Sequence, residues 1–209
     1  MPLLTAYLLR IRSETVPSTS SIVIDHLQSL AATEDYGVAY FYFDYKEQDK
    51  QRPSYVLTSL VKQLATQATG LSPAIKDLRD RLEPKQKLPT TEELYSTLLC
   101  ALKSFAQVFF VFDALDECDQ ESQRRELLSL FHHMGRDGAR LFLTSRQHPE
   151  DIQDSFRVAS KIELLAKKED MEKFIQQKIH ESPRGRRLVQ QGRCKERIVS
   201  ELVDCSKGM

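Results

Sequence analysis

The sequence predicts a three-layer α/β fold, a parallel sheet with helices on both faces. Two observations carry the prediction. Short, unbroken apolar runs such as Val108–Phe112 and Arg140–Thr144 are each followed by a segment of helical periodicity, the rhythm of parallel strands joined by crossover helices. The chain of 209 residues is also long enough for one substantial core, two at most.

Leu3–Ile11 is apolar and β-capable, and it reads either as a first strand or as a helix or irregular N-terminus. The run is short and carries Arg10, so a signal peptide is not expected, and no stretch approaches the roughly 20 apolar residues that span a bilayer. Residues 12–20 are polar and turn-forming. They lead into a helix expected from about Ser18 to Ala31, where Ile22, Val23, Leu27 and Leu30 recur at helical spacing. Gly37 then opens a strand ending near Asp44. Its aromatic cluster, Tyr40, Phe41, Tyr42, Phe43 and Tyr45, is assigned to the core as part of a central strand.

Pro53 suits a first helical turn, and Val56, Leu57, Leu60, Val61 and Leu64 mark an amphipathic helix to Gln67. Gly70 and Pro73 separate it from a short helix through about Leu82. After a loop, Thr90 or Thr91 with Glu92 and Glu93 forms a helix N-terminus with acidic residues against the dipole, and that helix is expected to reach Phe105. The strand Val108–Phe112, a helix Gln123–Met134 and the strand Arg140–Thr144 follow. A strand Val158–Leu164 and helices near Lys168–His180 and Lys195–Ser206 complete the expected order.

Thirty basic and thirty acidic side chains balance, which gives no reason to expect a nucleic-acid or membrane partner. The four cysteines, Cys100, Cys118, Cys194 and Cys205, lack C-x-x-C spacing. A reducing intracellular setting is expected, and Cys118, next to Glu117, reads as either a reactive or a packing thiol. His132 and His133 adjoin on one helix and point in different directions, so no metal set is read from them. The basic stretch from Ser182 to Arg197 lacks interleaved aromatics and reads as a solvated loop and helix start.

The chemistry concentrates in Phe109–Cys118, F-F-V-F-D-A-L-D-E-C. Four apolar residues carry Asp113 to the carboxyl end of a buried strand, where open α/β sheets bind ligands. A carboxylate there is placed to hold Mg²⁺ as the metal ligand, and Asp116 or Glu117 a step beyond is placed to orient or deprotonate an attacking water. A second strand, L-F-L-T-S-R, ends in Arg146, whose guanidinium can read a phosphate through paired hydrogen bonds.

These segments, with V-A-Y-F-Y-F-D-Y-K-E-Q-D and L-T-S-L-V-K-Q-L upstream, resemble the NACHT-type nucleotidase domain of fungal signalling proteins, in its nephrocystin-like N-terminal version. The resemblance runs from about Ser21 to Met209. It implies a P-loop NTPase of the STAND class, a cytoplasmic switch in which nucleotide state gates oligomerisation, associated in fungi with non-self recognition and heterokaryon incompatibility. It implies Mg²⁺ and ATP or GTP as cofactors, with Asp113 on the metal, Asp116 or Glu117 on the attacking water and Arg146 on the γ-phosphate. Self-association or association with full-length NACHT proteins is the implied partnership, with no nucleic acid and no membrane.

One part of that pattern is missing. A phosphate-binding loop needs G-x-x-x-x-G-K-[ST], whose Lys-Thr pair would fall near Val16-Pro17, and this sequence has neither glycine nor lysine there. Residues 1–17 are therefore read as an atypical N-terminal segment, and 18–209 as a partial domain, cut at both ends relative to the family. The expected function is a nucleotide-gated switch domain deficient in nucleotide binding. The alternatives are a non-catalytic interaction module that joins or inhibits full-length NACHT oligomers and a non-functional gene fragment.

Overall fold

The computed structural model describes residues 6–11, 19–68, 73–82, 88–118, 121–146, 150–164, 173, 176–177 and 179–182. By contact density the chain divides into a unit of residues 1–10 and 18–162, which carries the core, and a second of residues 11–17 and 163–209. In the second, Gln177 Nε2 donates to Glu181 Oε1 at 2.7 Å along a helical turn. The Val16-Pro17 position, the expected helix Lys195–Ser206, most of Lys168–His180 and most of the basic stretch lie outside the described residues.

The elements run β1 (Ala6–Ile11), α1 (Thr19–Ala31), β2 (Tyr36–Tyr42), α2 (Pro53–Gln67), α3 (Pro73–Leu82), α4 (Thr91–Leu102), β3 (Gln107–Asp113), α5 (Glu121–Arg136), β4 (Arg140–Ser145), α6 (Glu150–Ser155) and β5 (Ser160–Leu164). They form one sheet in the order β2-β3-β4-β1-β5. Of the two readings open for Leu3–Ile11, the chain adopts the strand, and Ala6–Arg10 pairs in parallel with Leu141–Ser145. β2 with β3 and β3 with β4 are parallel as well. The chain leaves β1 toward β2 and leaves β4 in the opposite direction toward β5. A crevice is therefore expected beyond the carboxyl ends of these strands, the topological switch point at which open α/β sheets take ligands.

Two cores separate the layers. On one face, Ile24 and Leu27 of α1 meet Val38 and Val111. On the other, Val56, Leu57, Leu60 and Leu64 of α2, Leu94 and Leu98 of α4, and Leu127, Phe131 and Met134 of α5 close over Ala39, Phe110, Phe112, Leu141 and Leu143. The rings of Phe112 and Phe131 stack at 3.9 Å between centroids. The alternation of strand side chains explains the division, since Val38 and Val111 point to one layer while Ala39, Phe110 and Phe112 point to the other. Pro53 opens α2, and α4 starts in a capping box in which Thr90 accepts from the Glu93 N–H and Glu93 accepts from the Thr90 N–H, as the sequence suggested.

Three elements differ from expectation. The helix α6 lies where the sequence shows no apolar periodicity and is held by one buried side chain, Ile152. β5 begins at Ser160, because Val158 is 81% exposed in the turn before it. The aromatic strand β2 is an edge strand, not a central one. Its reading as central is understandable, since both its faces are covered and its outer edge is covered too. Of its aromatic cluster only Phe43 is buried, while Tyr42 and Tyr45 are exposed.

The outer edge of β2 is closed by two glutamines of α2. Gln67 accepts from the Val38 N–H at 2.9 Å and donates to the Val38 carbonyl at 2.6 Å. One helical turn earlier, Gln63 does the same for Tyr40 at 3.0 and 2.8 Å. The match is geometric: four helical residues rise about 6.0 Å, close to the about 6.6 Å of two strand residues. Carboxamides thus stand in for a neighbouring strand and remove a template for edge pairing. Replacing both by leucine is expected to cost about 2 kcal/mol of stability and to produce concentration-dependent oligomers, read by denaturant unfolding and size-exclusion chromatography. A monomer of unchanged stability would contradict this role.

Gly37 marks a second close approach. A Cβ there would stand 2.9 Å from Phe105 Cδ2 and 3.0 Å from Leu64 Cδ2. Gly37→Ala is expected to destabilise by about 1–3 kcal/mol through overpacking, with partial recovery when Phe105→Leu is added, measured as shifts in urea midpoint.

Candidate functional site

Three strand ends, those of β2, β3 and β4, and the start of α1 converge on the carboxyl edge of the sheet. Asp113, the last residue of β3, receives two hydroxyl hydrogen bonds on its Oδ1. One comes from Ser20 of α1 and the other from Thr144 of β4, the latter at 2.6 Å. Ser20 and Thr144 are both fully buried. Thr144 Oγ1 also accepts from the Ala114 N–H at 2.8 Å, so one hydroxyl fixes both the carboxylate and the backbone that leaves it. The Phe43 N–H donates to the Asp113 carbonyl at 3.0 Å, which extends the β2 pairing to the same point.

Past Asp113 the chain turns sharply. Ala114 has φ 54°, a left-handed conformation that costs a non-glycine residue about 1 kcal/mol. Backbone strain of this kind concentrates at functional sites. A single 3₁₀ turn, Leu115–Glu117, follows, anchored by the fully buried Leu115. Its acidic residues point to the neighbouring strand ends. Asp116 Oδ1 accepts from the Arg146 N–H at 3.0 Å, and Glu117 Oε2 accepts from the Tyr45 N–H at 3.2 Å. Gln48 Nε2 donates to the Glu117 carbonyl at 2.9 Å.

The far end of this turn is held by a residue the sequence did not reveal. Arg124, 7% exposed, donates from Nη1 to the Cys118 carbonyl at 2.5 Å and from Nε to Asp151 Oδ2 at 2.8 Å. It joins the turn to α6. Cys118 itself is fully buried in the core. The histidines pack apart: His132 stacks on Phe156 at 5.0 Å between centroids, and His133 lies 6.3 Å from Tyr95. Burial, followed by the Arg136 charge and that of His133, holds the His132 pKa below the usual imidazole value.

The structure therefore brings Asp113, Asp116, Glu117 and Arg146 to one edge and adds Ser20, Thr144 and Arg124. Ser20 is the hydroxyl that meets the Asp113 carboxylate, and it sits later in the chain than the Val16-Pro17 position expected for the phosphate-loop pair. A hydroxyl next to a carboxylate at a strand end is a fitting donor set for a hard divalent cation. The triphosphate half does not fit. The sequence between β1 and α1 has no glycine to allow close backbone approach and no lysine to meet β/γ charge.

Thr144→Val is expected to lose about 2 kcal/mol, because it strips Asp113 of a donor and leaves the Ala114 N–H without its acceptor. Thr144→Ser should retain most of that stability. Equal unfolding free energies for the Val and Ser variants would show that the hydroxyl does not hold the edge.

Comparison with known proteins agrees with this architecture. The fold is similar to the structure of Drosophila ORC bound to DNA at 14% identity and a TM-score of 0.51, covering 95% of this chain and 47% of that one. The Aeropyrum pernix ORC1 protein in complex with DNA is also similar, at 13% identity and a TM-score of 0.48, covering 85% and 44%. The chain thus spans about half the length of each. No curated protein sequence matches it. The expected fold, a three-layer P-loop NTPase-like α/β sheet, is the one observed. Among the described residues no helix is long and apolar enough to cross a membrane. The family model described as nephrocystin 3, N-terminal, matches residues 18–146, more than half of the sequence, and the chain belongs to that family.

Proposed function

We propose that the chain is a nucleotide-switch domain of the NACHT-type STAND class that retains the cation half of its site and is deficient in binding triphosphate. The observation that carries this reading is the Asp113 carboxylate at the end of β3, bonded by Ser20 and Thr144. In this reading Asp113 and the Ser20 hydroxyl hold Mg²⁺, Asp116 or Glu117 faces the position of an attacking water, and Arg146 faces the terminal phosphate of ATP or GTP. The group supplies charge neutralisation when bound. The protein supplies a carboxylate held in place by the Ser20 and Thr144 hydroxyls.

Weak nucleotide binding follows from the absence of glycine and lysine between Ile11 and Thr19. The role proposed for the family, signalling in fungal non-self recognition, would then be exercised through protein contacts more than through turnover. A second reading follows, a non-catalytic cytoplasmic module that self-associates or joins full-length NACHT proteins. It is favoured by the engagement of Arg146 with Asp116 and Glu117.

Titration calorimetry with Mg·ATP and Mg·GTP tests the first reading. Dissociation constants weaker than about 100 μM are expected, a loss of about 3 kcal/mol against a submicromolar site, and submicromolar binding of either nucleotide would overturn the deficiency. Absence of association with a complete homologue across a wide concentration range would remove the second.

A further inference from the structure

Away from the strand edge, α5 and α6 flank a groove of about 450 Å³, within the size range of small-molecule sites. None of Asp113, Asp116, Glu117 and Arg146 lines it. Its apolar floor is Leu128, 5% exposed, and beside that floor stands the ring of His132. The fully buried Phe156 stacks on His132 at 5.0 Å between centroids and fixes the plane of that ring.

The charges of the groove do not balance. Glu121 pairs with Arg125 at 2.7 Å and Asp151 pairs with Arg124 at 2.8 Å, so both acids are engaged. Arg136, exposed in the last turn of α5, makes no ion pair and donates no side-chain hydrogen bond among the described residues. Its position suits the helix dipole, yet that interaction occupies none of its five N–H donors. The charge reaches the neighbouring ring: after burial, Arg136 is the largest influence lowering the His132 pKa. His133 on α5 adds to it, while on the α6 side the ring meets the Ser155 backbone, which acts in the opposite sense, and the uncharged Phe156.

An unneutralised guanidinium beside an apolar floor is complementary to a ligand with an anionic head and an apolar body. A carboxylate presents two oxygens in the plane that the guanidinium fork matches. Glu121 and Asp151, in the same groove, repel a second negative charge and so favour a monoanion. We propose that the groove between α5 and α6 binds a small monocarboxylate, its head on Arg136 and its apolar body against Leu128 and His132. The ligand's charge then favours the protonated ring, opposing the effect of Arg136. Bound carboxylate raises the His132 pKa, and by reciprocity the charged ring binds the ligand more tightly.

Benzoate is the probe, with benzamide as its uncharged isostere and inorganic phosphate as the more highly charged anion. Each is titrated into the whole chain at low ionic strength while the His132 ring resonances are followed by NMR. Benzoate is expected to saturate with a dissociation constant of about 1 mM. It should raise the ring's pKa and bind about threefold more tightly below that pKa than above it. Arg136→Gln is expected to weaken binding about tenfold and, without ligand, to raise the ring's pKa by removing the neighbouring charge. Arg136→Lys keeps the charge but not the fork, so the ligand-free pKa should stay low while benzoate binds about threefold more weakly.

No saturable binding of benzoate, equal binding of benzamide or of phosphate, or unchanged affinity in Arg136→Gln overturns the proposal. An affinity indifferent to the charge on His132 places the carboxylate elsewhere and overturns it as well. Should Arg136→Gln fail to fold, Arg136→Lys and the benzamide comparison carry the same test.

Discussion

The carboxylate of Asp113 is the point on which the functional edge depends. Its Oδ1 accepts hydroxyls from the first turn of α1 and from the end of β4, while its backbone carbonyl pairs with the residue after β2. Three segments distant in sequence are thereby held at one strand end. A charged oxygen is suited to this because hydrogen bonds to an ionised acceptor are about twice as strong as neutral ones, and partial burial keeps water from competing for it. Remove the charge, and Ser20 and Thr144 would be buried hydroxyls facing a weaker acceptor.

Around that point the edge is built from short contacts of opposite character. On the β4 side Asp116 meets Arg146, on the β2 side Glu117 meets the Tyr45 N–H, and at the exit of the turn Arg124 ties Cys118 to Asp151. None of these is a long-range field effect; each is a hydrogen bond between adjacent groups. The edge is consequently specific in its arrangement but depends on many small terms. A substitution at one strand end is felt at the others.

Much of the fold was legible in the sequence because it is written in periodicity. The step from Val56 to Leu64 identifies α2, and the F-F-V-F run identifies a strand buried on both faces. Asp113 was legible for the same reason, since an acid directly after such a run has only one place to go. Ser20, Thr144 and Arg124 were not. Their roles depend on which strands are neighbours, and the placement of β1 between β4 and β5 follows from tertiary packing and not from any local signal. Ser20 was further obscured by a family pattern that drew attention to earlier residues, and Arg124 reads in sequence as one more charge on an exposed helix. The central position assigned to β2 failed because hydrophobic content reports burial, and helical carboxamides bury the first half of this edge, Gly37 to Ala39, although the strand has no neighbour there.

That carboxamide cover has a built-in length. Helix and strand advance by about 6.0 and about 6.6 Å per matched step, so each added rung falls about 0.6 Å further out of phase, before strand twist is counted. Two rungs, Gln67 on Val38 and Gln63 on Tyr40, lie within what side-chain rotamers can absorb. The position that would form a third is Ser59, whose hydroxyl accepts from Gln63 instead of reaching Tyr42. A helix can therefore imitate a strand only over a vernier's coincidence. Where it ends, at Tyr42, the sheet passes from shielded scaffold to the solvent-facing rim on which the acidic turn is mounted.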